Sequence, residues 1–464
     1  MYSGARCLDW IQSGGKEFVM EWKMASGGMA EAAEHIIAQL MEKGHEAYWV
    51  GGCIRDELLG RPVHDMDITT SALPEEVISI FPRCIPTGLQ HGTVTVLQAG
   101  NGFEVTTYRT ESGYLDYRRP EQVCFVSDVN EDLRRRDFTI NAICCGIEGQ
   151  LIDPFGGAAD LERQVIRCVG DAEERFAEDA LRMLRCVRFA SGLDFSVTKN
   201  TWRGLLRQRD KLVHIAVERV RAELERIVEG PHPRRGLGML VRSGLLPRGK
   251  APFPWTGTDL AAAAALSAGI GELQSARLRW ALLLHALKQS AQEADELLRA
   301  WTFPGTTRTS VVLVLRVREA WTAALEEVPP EAAYGTEALR RLWIAAVLAY
   351  GKEAAEGWLT LLEALQAAPE GRSPAPGPTS VLAGSSRQTL PAAAREWLTQ
   401  MPLSSLAALA VTGNELAETL QKTPGPWLGI MLQQLLQAAA VGDIPNDKQL
   451  LLHEAKRMDG HEQL

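Results

Sequence analysis

Residues 50–70 read VGGCIRDELLGRPVHDMDITT, and this stretch decides the fold. A short β-forming run at 47–50 (AYWV) ends in Gly51-Gly52, and residues 53–59 have the character of a helix start. The following run 66–69 (MDIT) is expected to be a strand, with Asp65 and Asp67 at i and i+2 on it. At that spacing both carboxylates project from one face. Two carboxylates side by side repel each other and suit a divalent cation. Magnesium ions bridged roughly 4 Å apart support in-line phosphoryl or nucleotidyl transfer. Backbone N–H groups at the helix start, with Gly52 allowing close approach and Arg55 adding charge, suit a triphosphate. A lone Asp-x-Asp reads as a solvated turn; a glycine turn, a helix and Asp-x-Asp in this order read as a catalytic site.

Working outward, residues 30–43 have helical spacing. The runs HGTVTVL (91–97) and GFEVTTY (102–108) alternate β-branched residues and pair across a turn-rich connection. From about 29 to 153 the chain reads as a small mixed-sheet domain. After Asp153-Pro154-Phe155-Gly156-Gly157 the β signal gives way to 3.6-period apolar patterns as far as the C-terminus. The fold class expected is therefore α+β: a small mixed β-sheet head followed by an all-α remainder. Residues 260–300 and 332–367 are Ala/Leu-rich and carry no chemistry. Residues 368–391, which contain APEGRSPAPGPTS, read as a linker.

Two further segments carry polar chemistry. In residues 134–142 (RRRDFTINA) three arginines run straight into an apolar stretch, which sets the charges at the edge of a cleft. Arg136 suits a phosphate, and Asp137 and Asn141 suit ribose hydroxyls. In residues 178–188 (EDALRMLRCVR) helical spacing puts Asp179, Arg182 and Arg185 on one face, with Arg188 continuing it and Leu181, Leu184 and Val187 as a buried stripe. The bland reading is a surface Asp–Arg pair, which contributes little. The chemical reading rests on the bases. Cytosine and adenine both present an amino donor beside a ring-nitrogen acceptor, and uracil and guanine present the reverse. An Asp accepting from the amino group and an Arg donating to the ring nitrogen would select C and A. Glu104, on a strand beside the Asp pair, reads as a solvated strand residue or a third carboxylate.

The chain has 464 residues, enough for about three domains. At 46% hydrophobic and 23% charged it is globular, not disordered. A net charge of −9 gives no global case for a nucleic-acid partner, so any such surface is a local basic patch. Eight scattered cysteines, none in Cys-x-x-Cys, indicate reduced thiols and no zinc site. No apolar run is long enough to span a membrane. The first 24 residues lack the features of a signal peptide, and Met20, Met24 and Met29 offer alternative starts.

The three motifs, in this order and spacing, resemble the class II branch of the tRNA nucleotidyltransferase and poly(A) polymerase family. The resemblance is dense from about residue 48 to 230. It takes in Asp153–Gly157 as DPFGG and continues into Ala216-Val217-Glu218-Arg219-Val220. It implies an extension (1–24, open as disordered), a nucleotidyltransferase head (25–160), a helical neck with the Asp179–Arg182 template (161–230), a helical body (231–367), a linker (368–391) and a helical tail (392–464). Asp65 and Asp67 would be the catalytic residues, holding both Mg2+ ions of a two-metal nucleotidyl transfer. Gly52, Arg55, Arg136, Asp137, Asn141, Asp179, Arg182, Arg185 and Arg188 would bind nucleotide. The implied activity is cytoplasmic addition or repair of the 3′-terminal CCA of tRNA from CTP and ATP, with tRNA gripped at acceptor stem and elbow, no membrane, and a homodimer left open. The alternatives are an A-adding or CC-adding specialist, a bacterial poly(A) polymerase, or a non-catalytic RNA-binding protein on the same scaffold. Residues 110–120 (TESGYLDYRRP) resemble the family's flexible loop, associated there with the switch to ATP. The extension and residues 369–390 have no counterpart in the family pattern.

Overall fold

The protein is described here by a computed structural model, which describes residues 20–115, 119–327, 337–366 and 386–461. Two compact units divide at Pro254/Trp255. The linker expected at 368–391 lies largely outside the described residues, as do residues 1–19 and the tip of the 110–120 loop.

The first unit opens with α1 (Gly27–Glu42), β1 (Ala47–Val50) and α2 (Gly52–Leu58). Next come β2 (Ile68–Thr70), α3 (Pro74–Ile80), β3 (Cys84–Gly88), β4 (Thr93–Gln98), β5 (Asn101–Thr107) and the hairpin β6 (Arg109–Leu115) and β7 (Arg119–Phe125). The head closes with α4 (Val129–Arg134), β8 (Cys144–Cys145) and β9 (Leu151–Ile152). The main sheet has the order β3-β4-β5-β2-β1-β8-β9, mixed because β2 runs parallel to β5 while its other pairs are antiparallel. Ala99 and Gly100, both at positive φ (48° and 80°), form the tight turn that sets the β4–β5 register. Ile36, Ile37, Leu40, Trp49, Ile68, Val94, Phe103 and Val105 bury the faces between α1 and the sheet.

The sequence places Asp65 and Asp67 on a strand, but β2 begins only at Ile68; both aspartates lie in the irregular segment leading into it. Val50 N–H donating to Asp67 C=O at 3.0 Å ties that segment to β1. The strand therefore begins two residues later than the pattern suggested, and the carboxylates are freed at its mouth.

Past the DPFGG turn come α5 (Gly157–Glu162), β10 (Val165–Ile166), α6 (Ala172–Glu178), α7 (Leu181–Gly192), β11 (Ser196–Val197), α8 (Lys199–Gln208), α9 (Val217–Glu229) and α10 (Pro233–Ser243). The β signal does not vanish entirely, since β10 and β11 make a short parallel pair. Leu181, Leu184 and Val187 are buried where α7 packs on α9 and α10. Thus α10, in a stretch read from sequence as the start of the body, packs with the neck helices.

The second unit is helical throughout its described residues. Its core is rich in tryptophan: Trp321 stands edge-on to Trp343 at 5.0 Å and Trp280 to Phe303 at 4.9 Å. A second cluster of Leu403, Leu416, Leu435 and Leu451 holds the C-terminal helices together. Helix Glu337–Tyr350 packs on Pro426–Val441, and Arg341 pairs with Asp443 at 2.5 Å. No helix among the described residues is long and apolar enough to cross a membrane.

Candidate active site

All eleven residues singled out from sequence line one open cleft of about 460 Å3 in the first unit. The 50–70 segment contributes Gly52, Arg55, Asp65 and Asp67; the 135–142 segment contributes Arg136, Asp137 and Asn141; α7 and the residues before it contribute Asp179, Arg182, Arg185 and Arg188. Asp56, Arg135, Leu181, Phe189 and Arg219 also line it and were not foreseen.

The glycine turn has a steric cause. Gly51 sits at φ 80°, ψ −120°, and a Cβ there would stand 3.0 Å from Arg136 Nη1. The backbone thus passes close under that guanidinium as α2 begins. Behind it, Asp132 on α4 is fully buried and pairs with Arg135 (2.8 Å) and Arg136 (3.4 Å). It also accepts from Thr69 Oγ1 at 3.2 Å. Burial opposes its charge, but the two arginines prevail and hold its carboxyl below the usual range. Arg135 extends this network to Glu111, at the base of the β6–β7 hairpin, which Arg109 also pairs.

One chain of contacts crosses the cleft floor. Arg55 forks onto Asp56 and donates to Asn141 Oδ1 at 2.6 Å; Asn141 Nδ2 donates to Asp137 at 3.0 Å; Asp137 pairs with Arg185 at 2.7 Å. Burial would raise Asp137, yet Arg185, Asn141 and Arg182 hold it down at about 2. Phe189 lies beneath three guanidiniums, with Arg188 4.1 Å, Arg55 5.2 Å and Arg185 5.4 Å from its ring centroid.

Asp179 is not on a helix, as the spacing suggested. It occupies the extended break (φ −133°, ψ 105°) between α6 and α7. Its Oδ1 accepts from Leu181 N–H at 3.0 Å and its Oδ2 from Arg219 at 3.2 Å. Arg182 is held separately, pairing with Glu178 at 2.8 Å and donating to Arg135 C=O at 3.0 Å. Each member of the pair is thus oriented by its own partner. Arg219 was visible only as part of Ala216–Val220, and Phe189, an apolar residue on an apolar stripe, carried no signal.

Asp65 and Asp67 have no ion-pair partner among the described residues. Burial, Asp65 and Glu104 push the Asp67 carboxyl up to about 6, against the pull of Arg136. Glu104 is exposed, and the β2–β5 register sets it level with Asp67 on the adjacent parallel strand. Among the described residues no three acidic, histidine or thiol groups converge as a closed metal cage. Two uncompensated carboxylates with open space beside them are nonetheless the donor set a divalent cation takes when the substrate's phosphates and water complete its shell. The thiols nearby are inert: burial pushes Cys53 and Cys145 up to about 12.

Seven arginines on a cleft whose mouth holds an acidic pair define a nucleotidyltransferase: cations for a triphosphate, carboxylates for its divalent metal. Comparison with known proteins narrows this. Residues 47–167 match the poly A polymerase head domain, 194–248 a probable RNA and SrmB-binding site of polymerase A, and 380–455 a putative tRNA nucleotidyltransferase domain 2. The CCA-adding enzyme of Geobacillus stearothermophilus is 39% identical over 415 residues, covering 89% of this chain and 93% of that protein. That of Lactiplantibacillus plantarum is 39% identical over 427 residues, covering 92% and 96%. A crystal structure of the Bacillus stearothermophilus CCA-adding enzyme in complex with CTP superposes with a TM-score of 0.76 at 35% identity, covering 94% of this chain and 99% of that one. The chain belongs to the family of CCA-adding enzymes, the tRNA nucleotidyltransferases.

Proposed function

We propose that the protein builds and repairs the 3′-terminal CCA of tRNA, taking CTP and ATP with magnesium, in the cytoplasm where that substrate resides. The observation that carries this reading is the convergence, in one cleft, of an unpaired carboxylate couple and a separately braced Asp–Arg pair. The first suits phosphoryl chemistry and the second suits the pairing edge shared by C and A.

The tRNA 3′-hydroxyl attacks the α-phosphate of the bound nucleotide in line, and pyrophosphate leaves. Asp65 and Asp67, with Glu104 alongside, would hold the two divalent ions, whose chemistry when bound would be to stabilise the charge that develops on phosphate. Arg136 and Arg55 neutralise the triphosphate, and Asn141, braced by Asp137, orients the ribose. Asp179 accepts from the exocyclic amino group, while Arg182 donates to the ring nitrogen. Uracil or guanine would leave both side chains facing like partners, at a cost of about 1–3 kcal/mol for each buried group left unsatisfied. The division into head, neck, body, linker and tail is proposed at the boundaries given above, with the helical tail contacting tRNA.

The test is to offer the pure protein, with magnesium, tRNA transcripts ending before CCA, after C and after CC, with each NTP singly and in mixture. Growth of all three to CCA and no further is the expected result. Addition of CC alone or A alone, long A tails, or no product would each contradict it.

A further inference from the structure

Residues 20–24, assigned to the extension by sequence, run along the back of the catalytic half of the head. Met20 N–H donates to Gly149 C=O at 3.0 Å, and Val63 N–H donates to Met24 C=O at 3.1 Å. Lys23 and Met24 N–H groups donate to the two carboxylate oxygens of Glu57, at 3.0 and 2.9 Å. Trp22 stands edge-on to Trp49 of β1, with centroids 5.2 Å apart.

Glu57 is fully buried on α2, two residues from Arg55. A carboxylate with no exposure needs donors, and here the strap supplies backbone N–H groups to both oxygens. With seven residues α2 is too short to be secured by its own hydrogen bonds. It carries Arg55 on its cleft side, reaching Asn141, and Glu57 on its back. The Val63 contact ties the same strap to the segment that leads into Asp65.

We propose that residues 20–24 are a strap that fixes α2 against the sheet, and that Glu57 is a positioning residue for nucleotide binding, acting through Arg55. This rests on the cleft being the nucleotide site. Without the strap, Glu57 loses these two donors, α2 shifts, and Arg55 leaves its place beside Asn141.

The experiment uses the full chain, its Lys23→Pro variant (which deletes one strap donor), its Glu57→Gln variant and the double variant. Thermal unfolding without ligand, CTP dissociation constants with magnesium and tRNA affinity are measured on all four. Each single change is expected to weaken CTP binding about tenfold with tRNA affinity unchanged, and the double variant to be no worse than the worse single. Unchanged CTP affinity, or effects that multiply, would overturn the proposal; so would a fall in melting temperature alone. Should a variant not fold, amide exchange in the native chain decides. The amides of residues 23, 24 and 63 are expected to be protected, and more so with CTP. Exchange at the rate of a free peptide, or protection indifferent to CTP, would contradict the strap. Failure of the native chain to bind CTP would count against the nucleotide-site reading, while ligand-free coupling between residues 23 and 57 would still test the strap.

Discussion

Asp137 and Arg185 meet at 2.7 Å, and this one ion pair joins the segment after α4 to the middle of α7. The first carries Arg136 and Asn141 and the second carries Arg182, so the phosphate and base ends of the proposed site share one buried strut. Both side chains are largely buried, with Asp137 the more so.

Breaking that strut is expected to cost stability and function together. Asp137→Asn leaves Arg185 without its partner, with a loss of about 3 kcal/mol. Its pH dependence follows from the lowered carboxyl. Asp137 sits at about 2 against an ordinary 3.8. Its stabilisation is therefore full above about pH 4 and is lost as pH falls through 2. The gap in melting temperature between native and variant protein should be wide at pH 6 and close as pH drops toward 2.

Asp67 is expected to behave in the opposite sense. Its carboxyl stands at about 6 against 3.8, so the stability it contributes is present below pH 4 and lost as pH rises through 6. Above pH 7 the metal-free protein then carries a penalty of roughly 2 kcal/mol, allowing for partial exposure. Asp67→Asn should raise the melting temperature of metal-free protein at pH 7.5, leave it unchanged at pH 4, and abolish nucleotide addition. Magnesium should raise the melting temperature of the native protein and not that of the variant.

Arg219 braces Asp179 from α9 without belonging to the base-reading pair. Arg219→Ala frees one carboxylate oxygen and is expected to reduce discrimination of CTP from UTP by about tenfold, equivalent to one charge-assisted hydrogen bond. Single-turnover incorporation of each nucleotide on the same tRNA checks this, and unchanged discrimination would remove Arg219 from the account.

At Gly51 the backbone is both left-handed and crowded by Arg136. Gly51→Ala is expected to cost about 1–3 kcal/mol in backbone strain and to displace that guanidinium. The prediction is a lower melting temperature with a raised KM for both CTP and ATP, measured by steady-state addition.

Much of this site was legible because its chemistry lies in local patterns. The glycine turn before α2, the carboxylates two residues apart and the arginine run meeting an apolar stretch each report on neighbours a few positions away. The details that escaped depend on long-range pairing. β2 begins at Ile68 because its ladder to β1 and β5 runs only from Ile68 to Thr70, opposite Trp49–Ala47 and Val105–Thr107, which no residue within the motif specifies. Asp179 leaves the helix because Arg219, forty positions on, competes for its side chain, and helical spacing alone is blind to that contact. Glu104 was read beside the Asp pair from sequence, and the parallel β2–β5 register adds that it stands level with Asp67. The strap was missed because Glu57 looks like any exposed helix acid until its burial is seen. Asp132, whose i+3 and i+4 arginines now explain its burial, carried a signal that was readable and went unused.

The central claim is that side chains of this cleft, with no nucleic-acid template, choose the incoming base. Its most direct test is the ratio of CTP to UTP incorporation onto a tRNA lacking CCA, compared between native protein and Asp179→Ala in single turnover. The account predicts that the variant retains magnesium-dependent transfer while the ratio falls by about 100-fold, the scale of unpaired polar groups in a closed site. A variant that transfers nucleotides with the native ratio would contradict it.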